Sequence, residues 1–278
     1  MKRVIEKMRI IDFHTHCFPP HLAPKALSKL SENIHKEPEY DGTPQGLIKK
    51  MDACGIDKSV VLNIATNSRQ ESNVNAFALS LLGDEYGGRL IPFGSVHPDN
   101  PNVRDTIKTL IDGGIKGIKI HPDYTGHMVD SDELKPIFAA CCEYGLPIVI
   151  HAGWDPVSPS LIHAPPEKTA KVLGEFPGLR LVAAHMGGTL LWEDVLRYLA
   201  GKDIWFDTSL ACEYGLNPDL ICSIIDAHPK DKILFGSDGP WSCPTKVADY
   251  IRSLGLGQKM EENIFYKNAE ALLGITAV

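Results

Sequence analysis

The segment Asp12-Phe13-His14-Thr15-His16 closes an apolar run near the start of the chain. Successive strand side chains point to opposite faces, so histidines spaced i, i+2 aim their imidazoles the same way. That spacing presents two nitrogen ligands to one metal ion. Three more apolar runs end in the same kind of residue: IVIHAG closes on His151, LVAAHMGG on His185 and ILFGSDGP on Asp238. Neutral imidazoles with one carboxylate suit a single divalent cation, Zn²⁺ first, with Mn²⁺, Fe²⁺ or Co²⁺ also compatible. A site that leaves one position open for water is catalytic in type, because the ion lowers the pKa of that water to about 7. Asp238 beside it is the candidate general base.

Such a set must be delivered by several strand ends at once. Eight strand-length apolar runs are expected, at 9–16, 58–64, 90–96, 117–121, 147–151, 180–185, 204–208 and 233–237. Helical patterns lie between them. Thr43-Pro44 reads as an N-cap followed by proline at the first helical position, and Gly145 reads as the residue closing the helix DELKPIFAACCEY. Eight βα units with right-handed crossovers predict a single-domain (β/α)₈ TIM barrel spanning residues 1–278, with an extra C-terminal helix in ENIFYKNAEALLGI. The alternative, a doubly wound open sheet, would spread the polar strand ends along an edge. Alternation then predicts which residues share the barrel interior: Asp12 with His14 and His16, Val149 with His151, Ala183 with His185, and Leu234 and Gly236 with Asp238. Phe13 and Thr15 should face the helices. The proline-rich loop from Cys17 to about Asp41 is a candidate wall or lid of the substrate pocket.

Composition narrows the partners. With a net charge of −7 and no basic stripe, the chain is not expected to bind nucleic acid. No segment approaches the roughly 18 apolar residues of a membrane span. The opening MKRVIEKMRIID lacks the apolar core of about 7–15 residues that a signal peptide needs. Seven cysteines without repeated C-x-x-C spacing read as reduced thiols of a cytoplasmic protein, and the adjacent Cys141 and Cys142 cannot pair without strain.

The stretches IIDFHTH, GIKIHP, PIVIHAG, LVAAHMGG, LFGSDGPW and NAEALLGI run in order from residue 10 to 275. Together they resemble the amidohydrolase superfamily, and within it the amidohydrolase-2 group that includes aminocarboxymuconate-semialdehyde decarboxylase-like enzymes. The resemblance implies a (β/α)₈ barrel, one divalent metal (commonly zinc) and often homodimers. By it, His14, His16, His151 and Asp238 match the metal ligands, and His185 matches the strand-six histidine that contacts the metal-bound water or substrate.

Other residues depart from that pattern. In binuclear superfamily members a strand-four lysine is carbamylated and bridges two metals; Lys119 sits two positions short of His121, so its register does not settle that role. It reads equally as a buried lysine held by carboxylates or an anchor for a substrate carboxylate. His121 is a pocket-lining residue or a ligand. The decarboxylase-like enzymes carry an arginine for the substrate carboxylate in an early insertion, and no arginine lies between Arg9 and Arg69 here. Arg69 is the substitute candidate. Phe18, Trp154, Trp192 and Trp241 are candidate apolar contacts with the small-molecule substrate, Trp154 and Trp241 being the better two because they directly follow ligand-bearing strand ends. The first functional expectation is a metal-dependent hydrolase acting on an amide, lactone or related carbonyl, with Asp238 and His185 catalytic. The alternative is non-oxidative decarboxylation of an unsaturated or aromatic acid. A non-catalytic metal-binding barrel would have no use for the complete polar set.

Overall fold

A computed structural model describes residues 8–275; residues 1–7, the charged half of the expected non-signal segment, lie outside them. Eight parallel strands form one sheet in sequential order: β1 (Ile11–Thr15), β2 (Lys58–Leu62), β3 (Leu90–Ser95), β4 (Ile118–Ile120), β5 (Ile148–Ile150), β6 (Leu181–Ala183), β7 (Trp205–Asp207) and β8 (Ile233–Leu234). The chain returns on itself where Phe13 N–H donates to the Phe235 carbonyl (2.7 Å) and His16 N–H to that of Gly239 (2.7 Å). With a helix after each strand, this is a (β/α)₈ TIM barrel. The strands are shorter than the apolar runs that encode them. His16, His121, His151, His185 and Asp238 therefore sit just past the last ladder residue, where backbone direction is set by turns as well as by the pleat.

Helix boundaries reflect local chemistry. Thr43 Oγ1 accepts from Gly46 N–H at 2.9 Å ahead of the helix Pro44–Cys54, and Gly55 closes that helix in the left-handed region. Gly145 does the same for Lys135–Tyr144. Helix Asn268–Leu273 packs Ala269, Leu272 and Leu273 into the barrel interior cluster, closing the end opposite the polar strand tips.

Two layers of apolar side chains divide the barrel. Ile118, Ile120, Ile148, Ile150, Leu181, Phe206 and Phe235 pack outward beneath the helices. Val60, Leu62, Ile91, Phe93, Val149, Val182 and Leu234 fill the interior, together with Ile11 and Phe13. The placement of Phe13 corrects the expected alternation. Asp12 pairs with Ser59 and Thr15 with Val61, so three steps on β1 advance against two on β2. This bulge inserts one residue and reverses the parity of the rest of the strand. Phe13 points into the barrel before it, and His14 and His16 reach the cavity beyond it. Asp12 instead accepts hydrogen bonds from Ser237 N–H (2.9 Å) and Ser237 Oγ (2.5 Å), tying β1 to the turn that carries Asp238. A second correction concerns β6. Ala183 packs outward and Val182 inward, and His185 reaches the cavity because His185 and Met186 adopt left-handed backbone conformations (φ 59° and 54°).

All seven cysteines are unpaired. Among the described residues no helix is long and apolar enough to cross a membrane.

Candidate metal centre and substrate cavity

The polar strand ends open into a cavity of about 1070 Å³. His14, His16, Lys119, His121, His151, Asp155, His185 and Asp238 line its floor. Phe18, Tyr124, Trp154, Tyr214 and Trp241 stand around it. The long first loop folds as the helix Ala23–Ile34 and supplies an outer wall through Ala26, Leu30 and Ile34, facing Val74 and Phe77 of the helix Glu71–Ser80. The expected wall is therefore present.

His14, His16 and Asp238 offer ligand atoms within 4.8 Å of one another. Their protonation can be read from their outer partners. His16 Nδ1 lies 2.8 Å from the Leu62 carbonyl, which can only accept, so Nδ1 carries the proton. His14 Nδ1 lies 2.8 Å from the buried Asp207 Oδ2 and donates to it. Both Nε2 atoms are consequently lone pairs, and both face the same oxygen, Asp238 Oδ1, at 3.2 Å from His14 and 3.1 Å from His16. Three acceptors turned toward one point repel unless a cation sits among them. Ligand bonds of 2.0–2.1 Å place neighbouring ligand atoms about 3.0 Å apart in an octahedron and about 3.4 Å apart in a tetrahedron, which brackets these separations. The donor set fits a divalent metal.

Charge and burial act together here. Burial holds the His14 imidazole well below its ordinary pKa, and the Lys119 ammonium adds to this, which keeps the ring neutral and ligating. Burial opposes the charge of Asp238, and the positive charge that His14, His16 and Lys119 carry when protonated holds the carboxyl below its usual range. Lys119, fully buried from β4, is pushed down to about 8 by burial, against the pull of Asp207, Asp238 and Asp155. Among the described residues it forms no ion pair. Burial also pushes Asp12 up to about 7, although Ser237 and His14 donate to it.

His151 does not join the first group within the same 4.8 Å; it stands with His121 and Asp155. His185 stands between the two groups. Its Nδ1 lies 2.7 Å from Ser209 Oγ and its Nε2 3.0 Å from His151 Nδ1. Both ring nitrogens of this cavity-lining residue are engaged by protein partners. Trp154 and Trp241 line the cavity, whereas Trp192 is buried and donates its indole N–H to the His185 carbonyl at 3.1 Å, fixing that left-handed turn. Arg69 lies exposed on the turn Ser68–Gln70 and does not reach the cavity.

Three residues escaped the sequence reading. Asp207 accepts from His14 Nδ1, from His185 N–H (3.1 Å) and from Ser209 N–H (3.0 Å) and Oγ. Its signal was available, since WFD is an apolar run closing on a carboxylate. Ser209 lies two residues on. Asp155, four residues past His151, sits in irregular chain with no periodicity to mark it.

Residues 11–275 match the Amidohydro_2 family, described as amidohydrolase. The chain belongs to this family. Among curated proteins none matches the sequence. Solved structures similar to this chain include an uncharacterised TIM-barrel protein of Bordetella bronchiseptica (21% identity, 96% of this chain and 98% of that one, TM-score 0.73). Another is 2,6-dihydroxybenzoate decarboxylase complexed with 2,6-dihydroxybenzoate (15%, 97% and 100%, TM-score 0.72). A third is 5-carboxyvanillate decarboxylase of Novosphingobium aromaticivorans, complexed with manganese and 4-hydroxy-3-methoxy-5-nitrobenzoic acid (16%, 96% and 96%, TM-score 0.68). At these identities the likeness establishes the shared barrel.

Proposed function

We propose that this member of the amidohydrolase family is a metal-dependent, non-oxidative decarboxylase of an aromatic or unsaturated carboxylic acid. The observation that carries the reading is the floor of the cavity. A cation-fitting group and the buried, unpaired Lys119 ammonium lie beneath aromatic walls, a setting matched to a flat anion. Two structurally similar barrels, matching 97% and 96% of the chain, act on hydroxylated benzoates by their names. Decarboxylation thus replaces hydrolysis as the first choice.

His14, His16, His151 and Asp238 are the proposed holders of the cation, with zinc and manganese the leading candidates. Once bound, a divalent ion supplies positive charge that orients and polarises substrate oxygen atoms. Lys119 draws the anionic group to the cavity floor. Tyr124, Trp154, Tyr214 and Trp241 hold the ring and exclude water. Both histidine contacts of Asp238 fall on Oδ1, leaving Oδ2 to handle the proton. Asp238 Oδ2 passes a proton, taken from water or a substrate hydroxyl, to the carbon bearing the carboxylate. The C–CO₂ bond then breaks, its electron pair stays with the ring or alkene, and CO₂ leaves.

The test is CO₂ release by metal-loaded protein from a panel of benzoic and muconic acids, run beside lactone and amide hydrolysis. Asp238→Asn is expected to keep the fold and lower turnover by about two orders of magnitude or more. Hydrolysis without CO₂ release would return the assignment to the family's described activity. Wild-type turnover in Asp238→Asn would remove that carboxylate from the mechanism.

A further inference from the structure

We propose that the substrate carries an extended apolar substituent, an alkyl chain of about four carbons or more remote from its carboxylate, held in a slot between the helices Ala23–Ile34 and Glu71–Ser80. Its carboxylate is the one placed above over Lys119 and the cation, and to that extent the inference rests on the decarboxylase reading. The cavity measures about 1070 Å³, at the upper end of the roughly 300–1,000 Å³ that encloses a drug-sized ligand. A one-ring acid has about ten heavy atoms. At about 30 Å³ each, the share of a water molecule in the liquid, they fill less than about a third of that space. Whatever fills the rest must match its walls.

Away from the floor those walls are apolar. The helix Ala23–Ile34 presents two adjacent faces. Ala23 and Leu27 are buried on one. Leu22, Ala26, Leu30 and Ile34, four residues apart, form the other and line the cavity. Val74 and Phe77 line it from the facing helix, and Phe18, Leu62 and Ile64 carry the apolar lining back toward the metal ligands. Leu22 is 48% exposed, and Leu30, Ile34 and Val74 are half-buried. Among the described residues, none of these four belongs to either core cluster or packs against one. A contiguous apolar stripe that folding leaves wet is surface that a ligand can dry.

The polar side chains of this part of the cavity do not favour a charged tail. Lys29 and Asn33 stand one step round the first helix and are exposed, as are Gln70 and Asn73 on the other side. Lys36 is paired with Glu213 at 2.8 Å. Neither lysine therefore offers a buried partner to an anionic group carried between the helices, and an unpaired charge there is costly. Lys119, buried and without an ion pair among the described residues, offers that partner at the floor. The cavity thus reads as two parts: a charged floor for one carboxylate and an apolar slot for a tail.

The test is calorimetric titration of manganese-loaded protein with 4-alkylbenzoates from methyl to pentyl, whose chain points straight away from the carboxylate. Each added methylene should tighten binding about three- to four-fold. 4-(4-Hydroxybutyl)benzoate, equal in length to the pentyl compound, should bind at least about ten-fold more weakly than it. Ala26→Trp, which fills the slot, should shrink the pentyl-to-methyl affinity ratio to under about two-fold. A flat series or no binding in the wild-type protein overturns the proposal, and so does a folded Ala26→Trp protein that keeps the full ratio. The outcome is separable from the reaction. CO₂ release from one-ring acids with a flat series removes the slot and keeps the decarboxylase, whereas a rising series without CO₂ release keeps the slot and removes the decarboxylase. Because the wild-type series decides by itself, a variant that fails to fold leaves the test intact.

Discussion

Replacing Asp207 by asparagine exchanges one oxygen for an amide nitrogen at a fully buried junction. Oδ1 accepts from Ser209 N–H, Ser209 Oγ and His185 N–H, while Oδ2 accepts from His14 Nδ1–H at 2.8 Å. Three donors hold the asparagine oxygen on the Oδ1 side, so its NH₂ would face His14 Nδ1–H, donor against donor. His14 can relieve this only by moving its proton to Nε2 or turning the ring. Either change fills or redirects the lone pair that faces Asp238 Oδ1 at 3.2 Å. Losing the outer partner of a ligating histidine costs about 10–100-fold in metal affinity, or about 1.4–2.7 kcal/mol. The lost charge-assisted hydrogen bonds should lower folding stability by about 1.5–3 kcal/mol as well. Competition of the variant with a chelator of known affinity measures the first quantity, and urea unfolding of the metal-free protein measures the second. The ¹⁵N shifts of the His14 ring report its tautomer directly. A folded Asp207→Asn protein with wild-type metal affinity and His14 still protonated on Nδ1 would refute the idea that Asp207 sets the lone pair.

Three further outcomes rest on the same geometry. A Cβ added at Gly236 would stand 2.9 Å from His14 Cβ and 3.3 Å from Asp207 Cβ. Gly236→Ala should therefore cost about 1–3 kcal/mol of stability and about ten-fold in metal affinity, the latter checked by the same chelator competition. Leu30 faces the outer cavity wall opposite Val74 and Phe77, so Leu30→Trp should raise KM for large substituted acids about ten-fold. One-ring acids should be turned over at close to the wild-type rate, and equal losses across the series would place no substrate near that wall. His228 is buried against Phe206, accepts from Gly201 N–H and donates to the Ile204 carbonyl (2.9 Å). Burial pushes its pKa down from 6.5 to about 4, over the opposing pull of the Ile204 carbonyl. The unfolded chain therefore binds the proton first as pH falls from 6.5 toward 4, and the stability contributed above 6.5 is lost in that window. Unfolding free energies should drop by about 2 kcal/mol from this residue between pH 7 and pH 5, and His228→Gln should flatten that slope.

Much of this architecture is legible in the sequence because a parallel barrel strand is buried on both faces. Eight short apolar runs therefore stand out against amphipathic helices, and all eight strands lie where those runs place them. A histidine or aspartate at the end of such a run is conspicuous for the same reason. What the pattern does not encode is where the ladder stops. Alternation holds only while each strand advances in step with its neighbour. In β5 and β8 it does, and Val149 and Leu234 point inward as the pleat requires. In β1 the bulge between Asp12 and Thr15 carries no glycine or proline to announce it, so Phe13 and Asp12 exchange the faces that alternation assigns them. In β6 the strand ends at Ala183, and two left-handed residues, not the pleat, swing His185 into the cavity.

The same limit explains why strand-end position alone does not orient the four expected ligands, His14, His16, His151 and Asp238. Strand-end position says that a side chain reaches the barrel mouth, without saying which neighbour its lone pair meets there. That choice is made by outer partners distant in sequence. Leu62 and Asp207 turn His16 and His14 toward Asp238. Ser209 holds His185 Nδ1 at 2.7 Å, and His185 Nε2 in turn lies 3.0 Å from His151 Nδ1. If the hydroxyl sets the relay, removing it frees the His185 proton to shift to Nε2 and lets His151 carry its own on the Asp155 side. Ser209→Ala should then weaken metal affinity in a chelator competition through His151 alone, because Asp207 and Leu62 still set the His14 and His16 lone pairs, and unchanged affinity would refute the relay.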